Sequence, residues 1–292
     1  MSECHLSGGF QIYGQCLTAV GFVGGTVPDK TEKDGLIELP MADVAGGAFT
    51  VGAALMGKRP IYVIRYQGFN WYNLVSVVNY ACKSKELWGV PCPMMIRSIA
   101  MEGSIGPVAG SSHHSLIHRM PGINIVCPMT PSEYRSVYNE FMANDDVVYV
   151  SEHRGSYNQT KDLPDIEFDY PHFVLFPISI TRFAAVEASH RLLKEGIEVS
   201  VYHQVKLKPY SVKEKWTNAI YECNGAVLDD DYTDGIASTI AHKIMMSTSG
   251  SNNNRGKVFT LGLWNRSAGF SKESDNLPPN VDEICDFVKR NM

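Results

Sequence analysis

The chain of 292 residues carries 26 basic and 31 acidic side chains, a formal net charge of −5, which leaves no footprint for nucleic acid or an anionic membrane surface. Hydrophobic residues make up 44%, enough for one large or two medium cores, and no apolar stretch is long enough to span a bilayer. Seven cysteines lie scattered without a CxxC pair or zinc-like spacing, the pattern of reduced thiols in a cytoplasmic protein.

The first ten residues, MSECHLSGGF, lack a basic segment followed by an apolar run, so no secretory leader is expected. Beyond them, short apolar runs alternate with helical patterns. Strands are expected at 10–13, 60–64, 94–97, 123–126 and 147–151, with helices over 43–57, 70–84 and 131–143. Fully apolar strands alternating with helices predict a mostly parallel sheet covered on both faces. Gly21 to Gly25, GFVGG, is too weak a pattern for a phosphate loop.

The helix from Asp43 holds Ala45, Gly46, Gly47, Ala48, Gly52, Ala53 and Ala54. Glycine lowers helix stability, so this density needs a cause. Close helix packing satisfies it, and so does a cofactor or second subunit pressing on the helix. Asp43 itself is either a helix-end acid favoured by the macrodipole or a group with chemistry to perform. Phe69 and Trp71 follow the next strand. The loop GSSHHS (110–115) presents His113 and His114, residues suited to proton transfer near neutral pH. No third ligand stands at a spacing that makes the histidine pair a metal site. Thr130-Pro131-Ser132-Glu133 reads as a capping box with proline at the first helical position, and Gly57 and Gly196 stand where helices should stop.

The polar segment 158–172 reads as a linker between a domain over 1–157 and a second over 173–292. In the latter, strands are expected at 173–176, 198–202, 226–228 and 258–263, with helices over 182–195, 213–222, 234–246 and 280–290. Ile236, Ile240 and Ile244 form one core stripe, and Val281, Ile284, Cys285 and Val288 another. Residues 247–256, STSGSNNNRG, read as a loop without chemistry.

Taken in order, several motifs resemble the beta subunit of two-chain thiamine-diphosphate-dependent 2-oxoacid dehydrogenases, within the transketolase-like family. PMADVAGGAFTVGAALMGKRP is similar to that family's P-I-S-E, its small-residue helix with V-G-A-A and its Gly-x-Arg-Pro turn. GFNW and VVNYACK are similar to F-N-F and V-I-N-S-A-A-K, CPMMIRS to V-P-I-V-F-R-G, and SSHHS to a Q-H-S loop. PGINIVCPMTPSE matches P-G-L-K-V-V-x-P and its acidic helix start, and LLKEGIEVSVYHQVKLKP matches the family's last domain.

The resemblance implies an α/β pyrimidine-binding domain followed by a transketolase C-terminal-type α/β domain. It implies thiamine diphosphate at a subunit interface, with this chain holding the aminopyrimidine ring. An alpha-type chain carrying Gly-Asp-Gly, absent here, would hold the diphosphate and Mg2+ in an alpha2beta2 assembly. A lipoyl carrier or a carbonyl acceptor would receive the acyl or ketol unit cleaved from a 2-oxoacid or ketose-type donor. Asp43 matches the activating glutamate and His114 the active-site histidine. Phe69 matches the residue stacked on the pyrimidine, with Gln15, Trp71 and His113 also at the cofactor. Some relatives imply a monovalent cation, K+, near Met94, Phe141, Asn144 and Asp146. The chain departs from the pattern at Asp43, one methylene short, at Gln15 in place of an acid, at Val205 where arginine is common, and in a shortened segment between His114 and Pro121. The alternative is a catalytically degenerate subunit of the same fold, acting as an interaction or regulatory partner.

Overall fold

The computed structural model describes residues 11–18, 26–27, 30–101, 110–221, 223–248 and 256–292. The weak glycine pattern at 21–25, and most of the loop expected at 247–256, lie outside them. The first half contains β1 (Gln11–Gly14), β2 (Leu36–Glu38), α1 (Asp43–Leu55), β3 (Pro60–Ile64), α2 (Asn70–Asn73), α3 (Cys82–Trp88), β4 (Met94–Ala100), α4 (His114–His118), β5 (Ile123–Val126), α5 (Pro131–Ala143) and β6 (Val147–His153). The second contains β7 (Phe173–Pro177), α6 (Thr181–Leu193), β8 (Val199–Val201), β9 (Lys206–Lys208), α7 (Glu214–Ile220), β10 (Asn224–Tyr232), α8 (Ile236–Thr248), β11 (Val258–Leu263) and α9 (Val281–Asn291).

The strands form a seven-stranded sheet ordered β2-β1-β3-β4-β6-β5-β9 and a four-stranded sheet ordered β11-β10-β7-β8. All pairings are parallel except that of β9 with β5. The predicted buried, two-sided strands are present: every residue of β3, β4, β6 and β7 is buried. The stripes hold too, with Ile236, Ile240, Ile244, Ile284, Cys285 and Val288 all in the core.

Three elements differ from expectation. The helix expected over 70–84 breaks into α2, a π-helical turn at Val77–Ala81 and α3. The Asn73 side chain offers a cause: its amide donates to the Phe69 carbonyl at 2.9 Å, competing with regular helix bonds, while its Oδ1 accepts from the Tyr62 hydroxyl. The second difference is β9, a three-residue strand that leaves the second half to extend the edge of the first sheet. The third is the polar stretch 158–172, which is fastened rather than loose. Ile166 exchanges backbone hydrogen bonds with Val201 at 2.9 and 2.8 Å, and Asp165 takes Lys215 at 2.8 Å.

Helix ends follow the sequence signals. Gly57 and Gly196 have φ of 83° and 80°, the left-handed region open to glycine. Thr130 caps α5 by accepting from the Glu133 amide at 3.4 Å. The Glu133 carboxylate does further work: it takes the Met129 amide at 2.8 Å and binds the fully buried Arg182 of α6 through both oxygens, at 2.8 and 2.6 Å. This bidentate pair ties the two halves together.

His203 joins that contact, accepting from Arg182 Nε at 3.2 Å through Nδ1 while Nε2 donates to the Pro164 carbonyl at 3.1 Å. Burial first, and then the Arg182 charge, push its pKa down to about 4. An unfolded histidine binds its proton near pH 6.5, so between those values the unfolded state holds more protons and stability is lost as pH falls. Denaturant unfolding should therefore weaken by about 2–3 kcal/mol from pH 7 to pH 4 through this residue. In His203→Gln that slope should flatten; an unaltered slope contradicts the assignment.

The small residues of α1 divide by face. A Cβ on Gly47 would lie 2.1 Å from the Asn73 carbonyl oxygen, so the backbone of the next layer rests directly on this glycine. Gly52 meets nothing within 4 Å. Gly47→Ala should lower stability by about 1–3 kcal/mol through overpacking. Gly52→Ala should raise it by up to about 1 kcal/mol through helix propensity. Thermal melts of the two variants check the contrast, and equal shifts would show that the contact is not tight.

Candidate active site

In the seven-stranded sheet the chain runs from β1 outward to β2 on one side, then returns to β3 and β4 on the other. Such a reversal of strand order leaves a crevice beyond the carboxyl ends of the two diverging strands, the ordinary ligand position in a parallel sheet. Three expected site residues come from that edge. Gln15 directly follows β1, Asp43 begins the helix after β2, and Phe69 lies in the turn Gln67–Phe69 after β3.

Asp43 occupies the first turn of α1, whose N-cap is Ala42 without a side-chain cap bond. Its carboxylate instead accepts from Gln15 Nε2 at 2.9 Å through Oδ1. Among the described residues Oδ2 has no hydrogen-bond partner, and the residue is half-buried. Capping thus does not account for this acid. Beneath it, burial and the nearby Asp43 charge hold the Tyr62 phenol well above the usual range, so Tyr62 stays protonated and donates to Asn73.

Phe69 is half-buried, edge-on to Tyr66 at 5.9 Å between centroids, with the Arg65 guanidinium 5.3 Å from its ring centre. Trp71 follows two residues later. It is 63% exposed, beside exposed Tyr72 and Val75 on α2 and its flank, and α1 carries exposed Val44 and Phe49.

The histidine loop is knitted to the same strand ends. The buried Gln67 accepts from the His113 amide at 2.6 Å and donates to Ser151 Oγ at 2.8 Å and the Ser98 carbonyl at 3.1 Å. Ser98 and Tyr149 hold Asn70 in turn. His113 is half-buried; burial lowers its pKa, leaving a neutral ring. His114 is fully buried, and both ring nitrogens are engaged: Nδ1 faces Ser151 Oγ at 3.1 Å, and Nε2 donates to Asp229 Oδ1 at 2.9 Å. Burial opposes its charge, but Asp229 foremost, then Asp231 and Asp230, outweigh burial and push the imidazole up to about 10. An imidazolium so held passes no proton to a ligand while these contacts last.

Sequence reading missed Asp229, Asp230 and Asp231. The signal was present, since three consecutive acids close an apolar strand, but the expected strand ended at 228 and left them in a loop. Around the expected cation position the chain makes contacts of its own. Arg59 Nη1 donates to the carbonyls of Phe141 at 2.8 Å and Asn144 at 2.7 Å. Asp146 takes Lys85 at 3.2 Å, and Met94 is buried within β4. The chain's own guanidinium supplies a positive charge beside two of these four residues.

The fold places the protein in the class of α/β proteins with a mostly parallel sheet and a strand-order reversal. Residues 19–160 match the family described as transketolase, pyrimidine binding domain. The chain is 27% identical over 195 residues to the beta subunit of the acetoin:2,6-dichlorophenolindophenol oxidoreductase of Cupriavidus necator, covering 60% of this chain and 56% of that one. It is 24% identical over 220 residues to the mitochondrial pyruvate dehydrogenase E1 component subunit beta of Dictyostelium discoideum, covering 68% and 61%. It is 24% identical over 194 residues to the 2-oxoisovalerate dehydrogenase subunit beta of Bacillus subtilis, covering 58% and 56%. The matches thus span little more than half the length of these relatives. A solved structure described as a split gene transketolase, inactive beta4 tetramer, shares the fold at a TM-score of 0.72 and 12% identity, covering 99% of this chain and 95% of the other. Among the described residues no helix is long and apolar enough to cross a membrane.

Removing the His114 ring would leave Asp229 buried without its counter-ion. His114→Ala should lower the free energy of unfolding by about 3–5 kcal/mol. Urea denaturation measures this, and a midpoint within error of the wild type would contradict the buried pair.

Proposed function

We propose that this chain is the beta-type, pyrimidine-holding subunit of a two-component thiamine-diphosphate enzyme that cleaves or transfers an acyl or ketol unit from a 2-oxoacid or ketose-type donor. The observation that carries the reading is Asp43, a half-buried carboxylate at the strand-order reversal with one oxygen held by Gln15 and the other uncommitted. These residues fit an aminopyrimidine: a carboxylate to meet a ring nitrogen and a half-exposed aromatic, Phe69, to meet a ring face. When bound, the cofactor supplies a carbanion at its thiazolium ring and an electron sink after carbon–carbon cleavage.

The chain's own part is to orient and to hold a proton. Gln15 fixes the rotamer of Asp43, leaving Oδ2 to share a proton with the ring nitrogen. Because Asp43 is one methylene shorter than the family's glutamate, its hold depends on how closely α1 approaches, since proton transfer needs heavy atoms about 2.6–3.2 Å apart. His113, neutral and half-exposed, is the histidine of the loop that can reach a ligand; His114, with both nitrogens engaged, holds the loop. The diphosphate and Mg2+ fall to an alpha-type chain carrying Gly-Asp-Gly, in an alpha2beta2 assembly, with a lipoyl carrier or a carbonyl acceptor taking the product unit. The exposed apolar side chains Val44, Phe49, Trp71 and Tyr72 beside the crevice support a partner there, since monomers rarely leave such patches open. The free thiols of Cys16, Cys82, Cys92, Cys127 and Cys285 fit a cytoplasmic setting.

The second reading, a non-catalytic subunit, is favoured by the shorter Asp43 and by the engaged ring of His114. Co-expression with the alpha-type partner separates the two. The complex should bind thiamine diphosphate with Mg2+ by calorimetry and turn over a 2-oxoacid. Asp43→Ala should bind nearly as well yet lose turnover by about 100-fold or more, and Asp43→Glu should match or exceed the wild type. A complex that binds no cofactor sinks the enzyme reading; an Asp43→Ala variant with an unchanged rate removes Asp43 from it.

A further inference from the structure

Strand β10 ends in three consecutive buried carboxylates, Asp229, Asp230 and Asp231. Regular alternation would send Asp230 to the face opposite Asp229. The pairing of β10 with β11, however, shifts register between Leu228 and Tyr232, and an irregularity of this kind re-aims side chains. As a result, a ring nitrogen of His114 and one oxygen each from Asp229 and Asp230 all lie within 4.8 Å of one another.

The remaining hydrogen bonds leave a specific deficit. Asp231 is committed to backbone, its Oδ2 accepting from the Ser115 amide at 2.8 Å and its Oδ1 from the Tyr232 amide at 2.7 Å. Asp230 Oδ2 accepts from the hydroxyls of Ser112 at 2.6 Å and Ser179 at 2.8 Å. Asp229 Oδ1 accepts from His114. Asp229 Oδ2 and Asp230 Oδ1 are buried and have no hydrogen-bond partner among the described residues. Bare carboxylate oxygens in an interior are costly, and only two imidazoles, His114 and His153 with its Nε2 4.0 Å from Asp230 Oδ2, lie within ion-pair distance of these three acids among the described residues.

We propose that His114 Nε2, Asp229 and Asp230 bind a divalent transition-metal ion of the zinc or manganese class, which staples the histidine loop of the first half to β10 of the second. Uptake displaces the Nε2 proton that His114 now gives Asp229 Oδ1, so that these two atoms, 2.9 Å apart, become adjacent ligands around an ion about 2.0–2.1 Å from each. One imidazole with two carboxylates is a mixed donor set. The nitrogen favours zinc or manganese over magnesium or calcium, which take oxygen ligands. The outer contacts that orient metal ligands are already in place: Ser112 and Ser179 hold the far oxygen of Asp230, and Ser151 faces the other nitrogen of His114. The ion is assigned a structural role, independent of the thiamine reading, and either reading of the chain can carry it.

The test uses the full chain, purified from cells grown with added Zn2+ and Mn2+. Its metal content is measured by plasma mass spectrometry, and the chelator-stripped protein is titrated calorimetrically with Zn2+, Mn2+ and Mg2+. About one equivalent of zinc or manganese per chain is expected, with a higher melting temperature on reloading. Asp230→Asn keeps the shape and an acceptor for Ser112 and Ser179, and should weaken binding by at least about 10-fold with an unchanged circular dichroism spectrum. Unfolding on stripping that the metal reverses also supports the site. No saturable uptake by the folded, stripped chain overturns it, as does equal affinity in Asp230→Asn. Preference for Mg2+ over both other ions overturns the class of metal.

Discussion

The arrangement of the candidate site depends on one contact between backbones. The Asn73 carbonyl rests on Gly47, so α1 and the segment after β3 lie closer than side chains would allow. The Asn73 side chain then bonds Tyr62 of β3, which seats the same segment on the sheet. With α1 fixed this tightly, its first residue, Asp43, is delivered to the carboxyl edge of β1, where Gln15 takes one of its oxygens. Glycine at this position therefore serves the placement of an acid one turn away. Part of the small-residue density in α1 has this internal cause, and a subunit or ligand need not be invoked for Gly47.

A second constraint joins the halves. Arg182 and Glu133 form a bidentate pair across them, and His114 reaches from the loop of the first half to Asp229 of the second. Buried charged groups are costly unless paired, so each contact also penalises separation. The strand β9, crossing back to the edge of the first sheet, adds a backbone link. The loop after β4 is thus anchored against β10 as well as against the strands that hold it, and the positions of His113 and His114 depend on both sheets.

Much of this was legible in the sequence. Apolar runs gave β3, β4, β6 and β7, and the isoleucine stripe of α8 gave its buried face, because burial leaves a periodic trace. Thr130-Pro131 and Gly57 marked helix ends through local chemistry. Motif order pointed to the pyrimidine-binding family before any fold was in view. What stayed hidden depends on distant residues. That Glu133 would bind Arg182 beyond its cap, that His114 would turn inward to Asp229, and that Arg59 would occupy the Phe141 and Asn144 carbonyls are all consequences of tertiary approach. Short edge strands such as β2 and β9, of three residues each, carry no periodicity to read.

The contact between Asp43 and the pyrimidine ring decides the function of this chain. Nuclear magnetic resonance of thiamine diphosphate labelled with nitrogen-15 at the pyrimidine ring, bound to the complex of this chain with its alpha-type partner, reads that contact directly. The ring nitrogen should show a hydrogen-bonded or protonated shift with the wild type that reverts towards the free value with Asp43→Ala. The same shift in both complexes would contradict the account.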